Sequence, residues 1–354
     1  MTLVRHLAAA VALGVLLVII SITISPFRDY QMAEVACYVV AVAGLTALVG
    51  LSGQISLGNG AFMAIGAYAA ALLLLHLHWP LYVVLVASAI AAAAGGAVVG
   101  VAAARLHGPY LAGATLMLAV ALPSLALRFG LLGGDQGLTV VITSPGFLGK
   151  SFPVTRWQAW LTCGCALIVL VLLANLARSR VGRSWRAAGD DEVAAALAGL
   201  NVARLRVLAF VVSAACAGLA GALLAVTTSI ISPEAFTLTL SIALLTAAVL
   251  GGLGTLPGAV WGSLVLVLVP TYVTDTASSH GLSSSAGSNI PVAAYGVVLV
   301  VVMLAFPNGI QGGLRRLYRP LASRVPALRG APHTRAPDSQ LRAPASEHQE
   351  EGSI

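Results

Sequence analysis

The fold is decided by residues 35–75, which read VACYVVAVAGLTALVGLSGQISLGNGAFMAIGAYAAALLLL and contain no charged residue. A membrane-spanning helix needs about 20 apolar residues, so this run is too long for one span. Gly50, Ser52, Gly53 and Gln54 interrupt it, and glycine and polar residues weaken a helix. The run therefore predicts two spans with a break between them.

The same reasoning along the chain predicts an all-α, polytopic transmembrane helical bundle of about ten spans. Residues 7–25 resemble a signal peptide, but the apolar stretch is long and no small-x-small cleavage site follows it, so we expect a retained first helix. A second long uncharged run breaks at residues 251–255. The predicted spans are 7–25, 32–50, 55–75, 81–104, 110–131, 157–177, 207–231, 236–253, 255–273 and 290–306.

The composition excludes a soluble enzyme and a disordered chain. Apolar residues make up 59% of the chain and charged residues 9%, and the mean hydropathy is +0.95. An average soluble domain is about 25% charged. With ten spans, fifteen of the 19 basic residues fall on the side of the N-terminus, which predicts cytoplasmic termini. The net charge of +7 thus fits a chain surrounded by membrane lipid and does not indicate nucleic acid.

Three regions follow from these patterns. Residues 1–31 form an N-terminal helix and an outer connector, and residues 32–318 form the main transmembrane domain. Residues 319–354 are rich in Pro, Ser, Arg and Glu without apolar periodicity, which predicts a disordered cytoplasmic tail. The four cysteines lie inside apolar runs and are read as small buried hydrophobes.

The long cytoplasmic loop at 178–206 contains a predicted short helix. Asp190 or Asp191 can cap its N-terminus, and Glu192 favours the positive end of the helix. Gly199 is placed to end it. The helix is either an interfacial helix that lies on anionic lipid or a docking element for a soluble cytoplasmic partner.

The two glycine-rich breaks are the candidate translocation pathway. Non-helical backbone at membrane depth is tolerated only where protein buries it or where it lines a cavity, and transporters use such breaks to expose backbone groups to substrate. The alternatives are ordinary turns or small residues for close helix packing. The candidate pathway residues are Ser52, Gln54, Ser56, Asn59, Gly251, Gly252 and Gly254.

Sites for other chemistry are not found in the sequence. Residues 144–151 look like a nucleotide-binding P-loop, but Ser144 stands where the motif needs glycine. The His76-x-His78 spacing has no third metal ligand nearby, so no metal is expected. The acidic residues outside the loop at 178–206 and the tail at 319–354 fall near predicted outer ends of spans. No carboxylate therefore lies in the middle of a span, where proton or sodium coupling usually needs one. We therefore expect a transporter that borrows its energy from another subunit.

Six stretches of the chain resemble the permease subunits of branched-chain (hydrophobic) amino acid ABC importers, LivM type, a group that includes urea-importer permeases. The stretches run in order between residues 32 and 318. One departure is Asn59, where that family usually has His. The matching stretches are 50–62 with 65–68, 133–138, 179–204, 208–210 with 217–222, 231–236 and 249–254.

The resemblance implies a bacterial inner-membrane protein that forms the pathway with a sister permease of the LivH type. Two cytoplasmic ATP-binding subunits would supply power, an extracytoplasmic substrate-binding protein would deliver substrate, and this chain would bind no cofactor and catalyse no reaction. The outer-loop residues Asp135, Gln136 and Glu234 would face the binding protein. The coupling helix and the ATPase-docking residues would be Arg183, Asp190, Asp191, Glu192, Ala195, Gly199, Asn201 and Arg204.

Two alternatives stay open from the sequence. A pathway with small apolar walls would suit urea or amides hardly less than leucine, isoleucine or valine, because selection lies largely in the binding protein. An ion-coupled secondary carrier would work without ATPases, and transport by this chain alone in liposomes would identify it.

Overall fold

The computed structural model describes residues 2–105, 109–141, 152–279 and 309–314, with the single positions 296, 300, 301 and 304. The chain divides into two units, Met1–Arg315 and Arg316–Ile354. The second unit lies outside the described residues, and so does the tail predicted at 319–354. The predicted last span, 290–306, also falls almost wholly outside them.

The described part of the first unit is built from helices. Short 3₁₀ turns (Gly130–Leu132, Gly134–Gln136 and Pro233–Phe236) and two strands, β1 (Leu138–Thr139) and β2 (Ile230–Ile231), lie between them. The helices are α1 (Thr2–Thr23), α2 (Pro26–Ser52), α3 (Asn59–His76), α4 (Leu81–Ala103), α5 (Pro109–Arg128), α6 (Val154–Arg178), α7 (Arg180–Asp190), α8 (Glu192–Leu197), α9 (Val202–Thr228), α10 (Leu238–Gly251) and α11 (Leu256–Ser279).

Seven of the described helices are long and apolar enough to cross a membrane, namely α2, α3, α4, α5, α6, α9 and α11. Two shorter apolar helices are Val11–Thr23 within α1 and α10. These nine coincide with nine predicted spans, which confirms an all-α polytopic bundle. The number of spans stays a prediction.

Helices α2, α3 and α9 form the centre of the bundle, and their small residues let the backbones approach closely. A Cβ atom on Gly66 would lie 2.0 Å from the Gly218 carbonyl oxygen, and one on Gly221 would lie 1.9 Å from the Met63 carbonyl oxygen. Glycine is therefore the only residue that fits at these crossings, as expected for helix packing in membranes.

Helix α2 begins at Pro26, so residues 26–31, which the sequence predicted as part of a connector, are helical. Pro26 begins α2 and fits the first helical turn because it lacks an N–H to satisfy. Asp29 is buried, with 1% of its surface exposed. It accepts a hydrogen bond from Ser21 Oγ at 2.7 Å and pairs with Arg156 Nε at 3.5 Å. This network joins α1, α2 and α6.

The bundle has two distinct ends. We call the end where α2, α6 and α10 finish the α7 end, because α7 and α8 lie there. At the opposite end, called the β end, β1 and β2 pair antiparallel, with Leu138 opposite Ile231 and Thr139 opposite Ile230. The acidic residues Asp29 and Glu34 lie in the first turns of α2, near the β end.

Candidate functional site

The sequence did not predict α7, the first of two helices in the loop between α6 and α9. Ser179 caps it by accepting a hydrogen bond from Gly182 N at 3.3 Å. Gly182, Trp185 and Ala188 are buried, while the arginines of α7 are exposed. Trp185 Nε1 donates to the Leu205 carbonyl oxygen at 2.9 Å. The indole ring therefore anchors α7 to the first turn of α9.

Helix α8 is the predicted short helix, and its cap is Asp191. Asp191 Oδ1 accepts hydrogen bonds from Val193 N at 2.9 Å and Ala194 N at 3.0 Å. Asp190 is the last residue of α7 and so does not occupy the N-cap position of α8. Gly199 follows α8 with a φ of +84°, a left-handed conformation that favours glycine at a helix end.

The remaining residues predicted for docking surround α8. Glu192 forms an ion pair with Arg206, and Ala195 is buried. Asn201 Oδ1 accepts from Arg204 N at 3.0 Å and so caps α9. Arg183 lies on α7, where Nη1 donates to the Arg178 carbonyl oxygen at 3.0 Å. The structure thus brings all eight predicted residues to one end of the bundle.

Helix α8 presents an apolar surface away from the rest of the chain. Val193 is 70% exposed and Leu197 is 85% exposed. The two residues are four positions apart, and residues at this spacing share one side of a helix.

Helix α7 contacts the first glycine-rich break directly. A Cβ atom on Gly189 would lie 3.2 Å from the Leu51 carbonyl oxygen and 3.4 Å from Gly53 N. Gly53 ends α2 with a φ of +68°, and its N–H bonds to the Val49 carbonyl oxygen. The loop at 178–206, the candidate docking loop, and the candidate pathway therefore meet backbone to backbone.

The break itself is the non-helical segment 53–58 between α2 and α3. Leu57 N donates to Thr115 Oγ1, and Gly60 N donates to Ser241 Oγ, both at 3.0 Å. Thr115 lies six residues into α5, about 9 Å along the helix. The hydroxyl groups of α5 and α10 thus satisfy backbone donors that the break leaves free.

Buried polar side chains line this segment. Gln54, Ser56 and Asn59 are at most 5% exposed. Ser213 Oγ on α9 donates to Asn59 Oδ1 at 3.4 Å, whereas Asn59 Nδ2 and Gln54 Oε1 have no hydrogen-bond partner in the described part of the chain. Ser52 Oγ accepts from Gln54 Nε2 at 3.0 Å. The four polar residues predicted in the first break are therefore gathered at one place.

The second break is a tight turn between α10 and α11, which pack against each other. It matches the turn that the sequence left open as an alternative. Gly252 and Gly254 have positive φ angles of +114° and +76°. A Cβ atom on Gly50 would lie 2.1 Å from Gly254 N. This turn therefore lies against the end of α2, beside the first break.

The outer-loop residues are brought together by the strand pair. Gln136 ends the 3₁₀ turn before β1, and Glu234 lies in the 3₁₀ turn after β2. Both side chains are exposed. Asp135 belongs to the same turn as Gln136, but its side chain is outside the described part. A Cβ atom on Gly137 would lie 2.4 Å from the Ile231 carbonyl oxygen, so the pairing needs glycine there.

A bundle of apolar helices with a non-helical segment between two central helices and a helical loop at one end defines a polytopic membrane protein. The family described as branched-chain amino acid transport system, permease component, matches residues 28–307. The chain belongs to this family.

Similar proteins agree with this assignment. The permease protein LivM of Escherichia coli is 32% identical over 262 residues, which covers 67% of this chain and 61% of LivM. LivH of Salmonella typhimurium is 33% identical over 193 residues, which covers 54% of this chain and 56% of LivH. The chain thus spans about three fifths of the length of the LivM relatives that it matches. No solved structure matches.

Proposed function

We propose that this chain is a permease subunit of an ATP-driven ABC importer for branched-chain amino acids, in a bacterial inner membrane with the α7 end facing the cytoplasm. The relatives are permeases of high-affinity branched-chain amino acid transport systems, which supports the substrate class. Similarity to both LivM and LivH supports a pairing with a LivH-type sister permease.

The observation that carries the proposal is the exposed apolar side of α8, formed by Val193 and Leu197. Two exposed apolar side chains that adjoin on one side of a helix form an apolar patch, and such patches mark interaction sites. Under the proposal, one of two cytoplasmic ATP-binding subunits covers this surface, and an extracytoplasmic binding protein docks near Gln136 and Glu234 at the β end. The chain itself binds no cofactor.

The mechanism follows from the contact between the docking loop and the break. Closure of the ATPases on ATP displaces α8, and α7 moves with it because Asp191 N bonds to the Ala187 carbonyl oxygen at 3.2 Å. Gly189 transmits the displacement to the end of α2. ATP-bound partners bias the two conformations by their different affinity for each. The pathway then opens alternately to the two sides of the membrane. It is lined by Gln54, Ser56, Asn59 and the turn at residues 251–254.

Docking is tested by co-purification of the ATPase subunits with the tagged chain. The double change Val193→Ser and Leu197→Ser should release the ATPases, because it removes the apolar contact. The matched control is Val141→Ser, since Val141 is 81% exposed near the β end. Undiminished co-purification of the α8 variant would refute the docking role.

Transport is tested in proteoliposomes with labelled leucine. The full set of subunits should accumulate leucine only with ATP, and this chain alone should accumulate none. Uptake by the chain alone would identify a carrier that needs no ATPase.

The pathway is tested by thiol reactivity. Cysteine introduced for Gln54 or Asn59 should react with small water-soluble reagents at a rate that changes on ATP binding, since both side chains are buried in this conformation. Constant protection in all states would remove the break from the pathway.

A further inference from the structure

A groove runs between α6 and α11 and opens at the α7 end. The cavity there has a volume of about 630 Å³. Leu170, Val171 and Ala174 of α6 form one wall, and Pro257 and Val260 of α11 form the other. The walls are thus apolar and lie within two helices that are long enough to cross a membrane.

The groove continues towards the β end. A second cavity of about 340 Å³ shares Leu170 and Val260 with the first and extends along α11 past Leu268 to Tyr272. The stretch of α11 from Leu256 to Leu268 corresponds to about 18 Å of helix. One leaflet of a bilayer is about half of the ~30 Å hydrocarbon core, so the groove is long enough for a lipid acyl chain.

Two arginines line the mouth of the groove at the α7 end. Arg178 is the last residue of α6, and Arg186 lies on α7. Both are exposed, and neither forms an ion pair with a carboxylate in the described part of the chain. Arg186 Nη2 donates to the Ala177 carbonyl oxygen, which fixes the guanidinium group beside the cavity. Two positive charges that have no carboxylate partner among the described residues therefore lie at the mouth of an apolar slot.

We propose that this groove binds an anionic phospholipid, with an acyl chain between α6 and α11 and the phosphate group on Arg178 and Arg186. Basic pockets between transmembrane helices recognise anionic head groups in this way. An acyl chain gains little hydrophobic free energy by moving from the bilayer into an apolar groove. Selectivity must therefore come from the arginines, which favour an anionic lipid over a zwitterionic one. The lipid site depends neither on the identity of the transported substrate nor on the ATP-binding subunits.

The test is lipid binding to the purified, delipidated full-length chain in mild detergent, measured by native mass spectrometry. Phosphatidylglycerol and cardiolipin are the anionic probes, and phosphatidylcholine is the zwitterionic probe. Wild type should bind the anionic lipids more tightly. Each of Arg178→Gln and Arg186→Gln should weaken anionic binding about fivefold, and the double change about twenty-five-fold.

The matched control is Arg180→Gln, which removes the same charge from α7 at a residue that does not line the groove. It should leave the affinity unchanged. Ala174→Phe keeps both arginines but fills the slot, and it should also weaken binding. Equal loss in the control, equal affinity for phosphatidylcholine, or full binding by the Ala174 variant would each overturn the proposal. So would cross-linking of cysteine at residue 174 to another protein chain in native membranes.

Discussion

The cap of α8 offers the sharpest test of the docking loop. Replacing Asp191 by Ala removes the acceptor for two backbone N–H groups, at 2.9 and 3.0 Å. Loss of such a cap costs about 1 kcal/mol, which corresponds to a fivefold shift of a local equilibrium. Helix α8 has six residues, and a helix this short is marginal without its flanking contacts. If α8 unwinds, Val193 and Leu197 no longer lie on one side of a helix, and the apolar surface is lost.

The assay is ATP-dependent leucine uptake in proteoliposomes that contain the complete transporter. We expect the Asp191→Ala variant to lose up to about fivefold in initial rate, in proportion to the folded fraction of α8. Asp191→Asn and Asp191→Ser should keep most of the activity, because their side-chain oxygens still accept from the backbone.

Two results would contradict this reasoning. A normal rate for Asp191→Ala would mean that the partner does not need a folded α8. Equal loss in all three variants would mean that the negative charge, and not the cap, makes the essential contact.

Three further predictions concern stability, measured by thermal unfolding in detergent. Gly50→Ala should cost about 1–3 kcal/mol, because its Cβ would lie 2.1 Å from Gly254 N, whereas Gly113→Ala should not destabilise, since nothing lies within 4 Å of its Cβ. Trp185→Phe should cost about 1 kcal/mol because a carbonyl group of α9 loses its donor. Asp29→Ala should cost about 2 kcal/mol because it removes hydrogen bonds to a charged group. Unchanged unfolding temperatures would show that these contacts are not maintained in the membrane protein as purified.

The features that the sequence predicted well are set by residues that lie close together in the chain. Asp191 lies immediately before α8 and Gly199 two residues after it, so capping rules place Gly199 and restrict the cap to Asp190 or Asp191. The end of α2 at Gly53 follows from an interruption that is visible within one run of apolar residues. Helix α7 was missed although its buried residues Gly182, Trp185 and Ala188 recur every third position, because two of the three are Gly and Ala, which carry little apolar signal.

The contacts that complete the break could not be predicted, because they join helices far apart in the chain. Thr115 is 58 residues from Leu57, and Ser241 is 181 residues from Gly60. Each of these two residues contributes one hydroxyl group from an apolar helix. Such residues also bond commonly to their own helix backbone, so the sequence carries no sign of a tertiary partner.

Three glycines at the α7 end explain how the proposed function fits this architecture. Gly189 of α7 contacts the backbone of residues 51–53, and Gly50 of α2 contacts the backbone of Gly254 in the turn between α10 and α11. Contacts between backbones have no flexible side chain to absorb a displacement. A shift of α7 would therefore move the end of α2 and the turn together. Because the non-helical segment 53–58 begins at this point, the displacement would reach the buried polar residues through the connection between α2 and α3, which is not stiffened by helical hydrogen bonds.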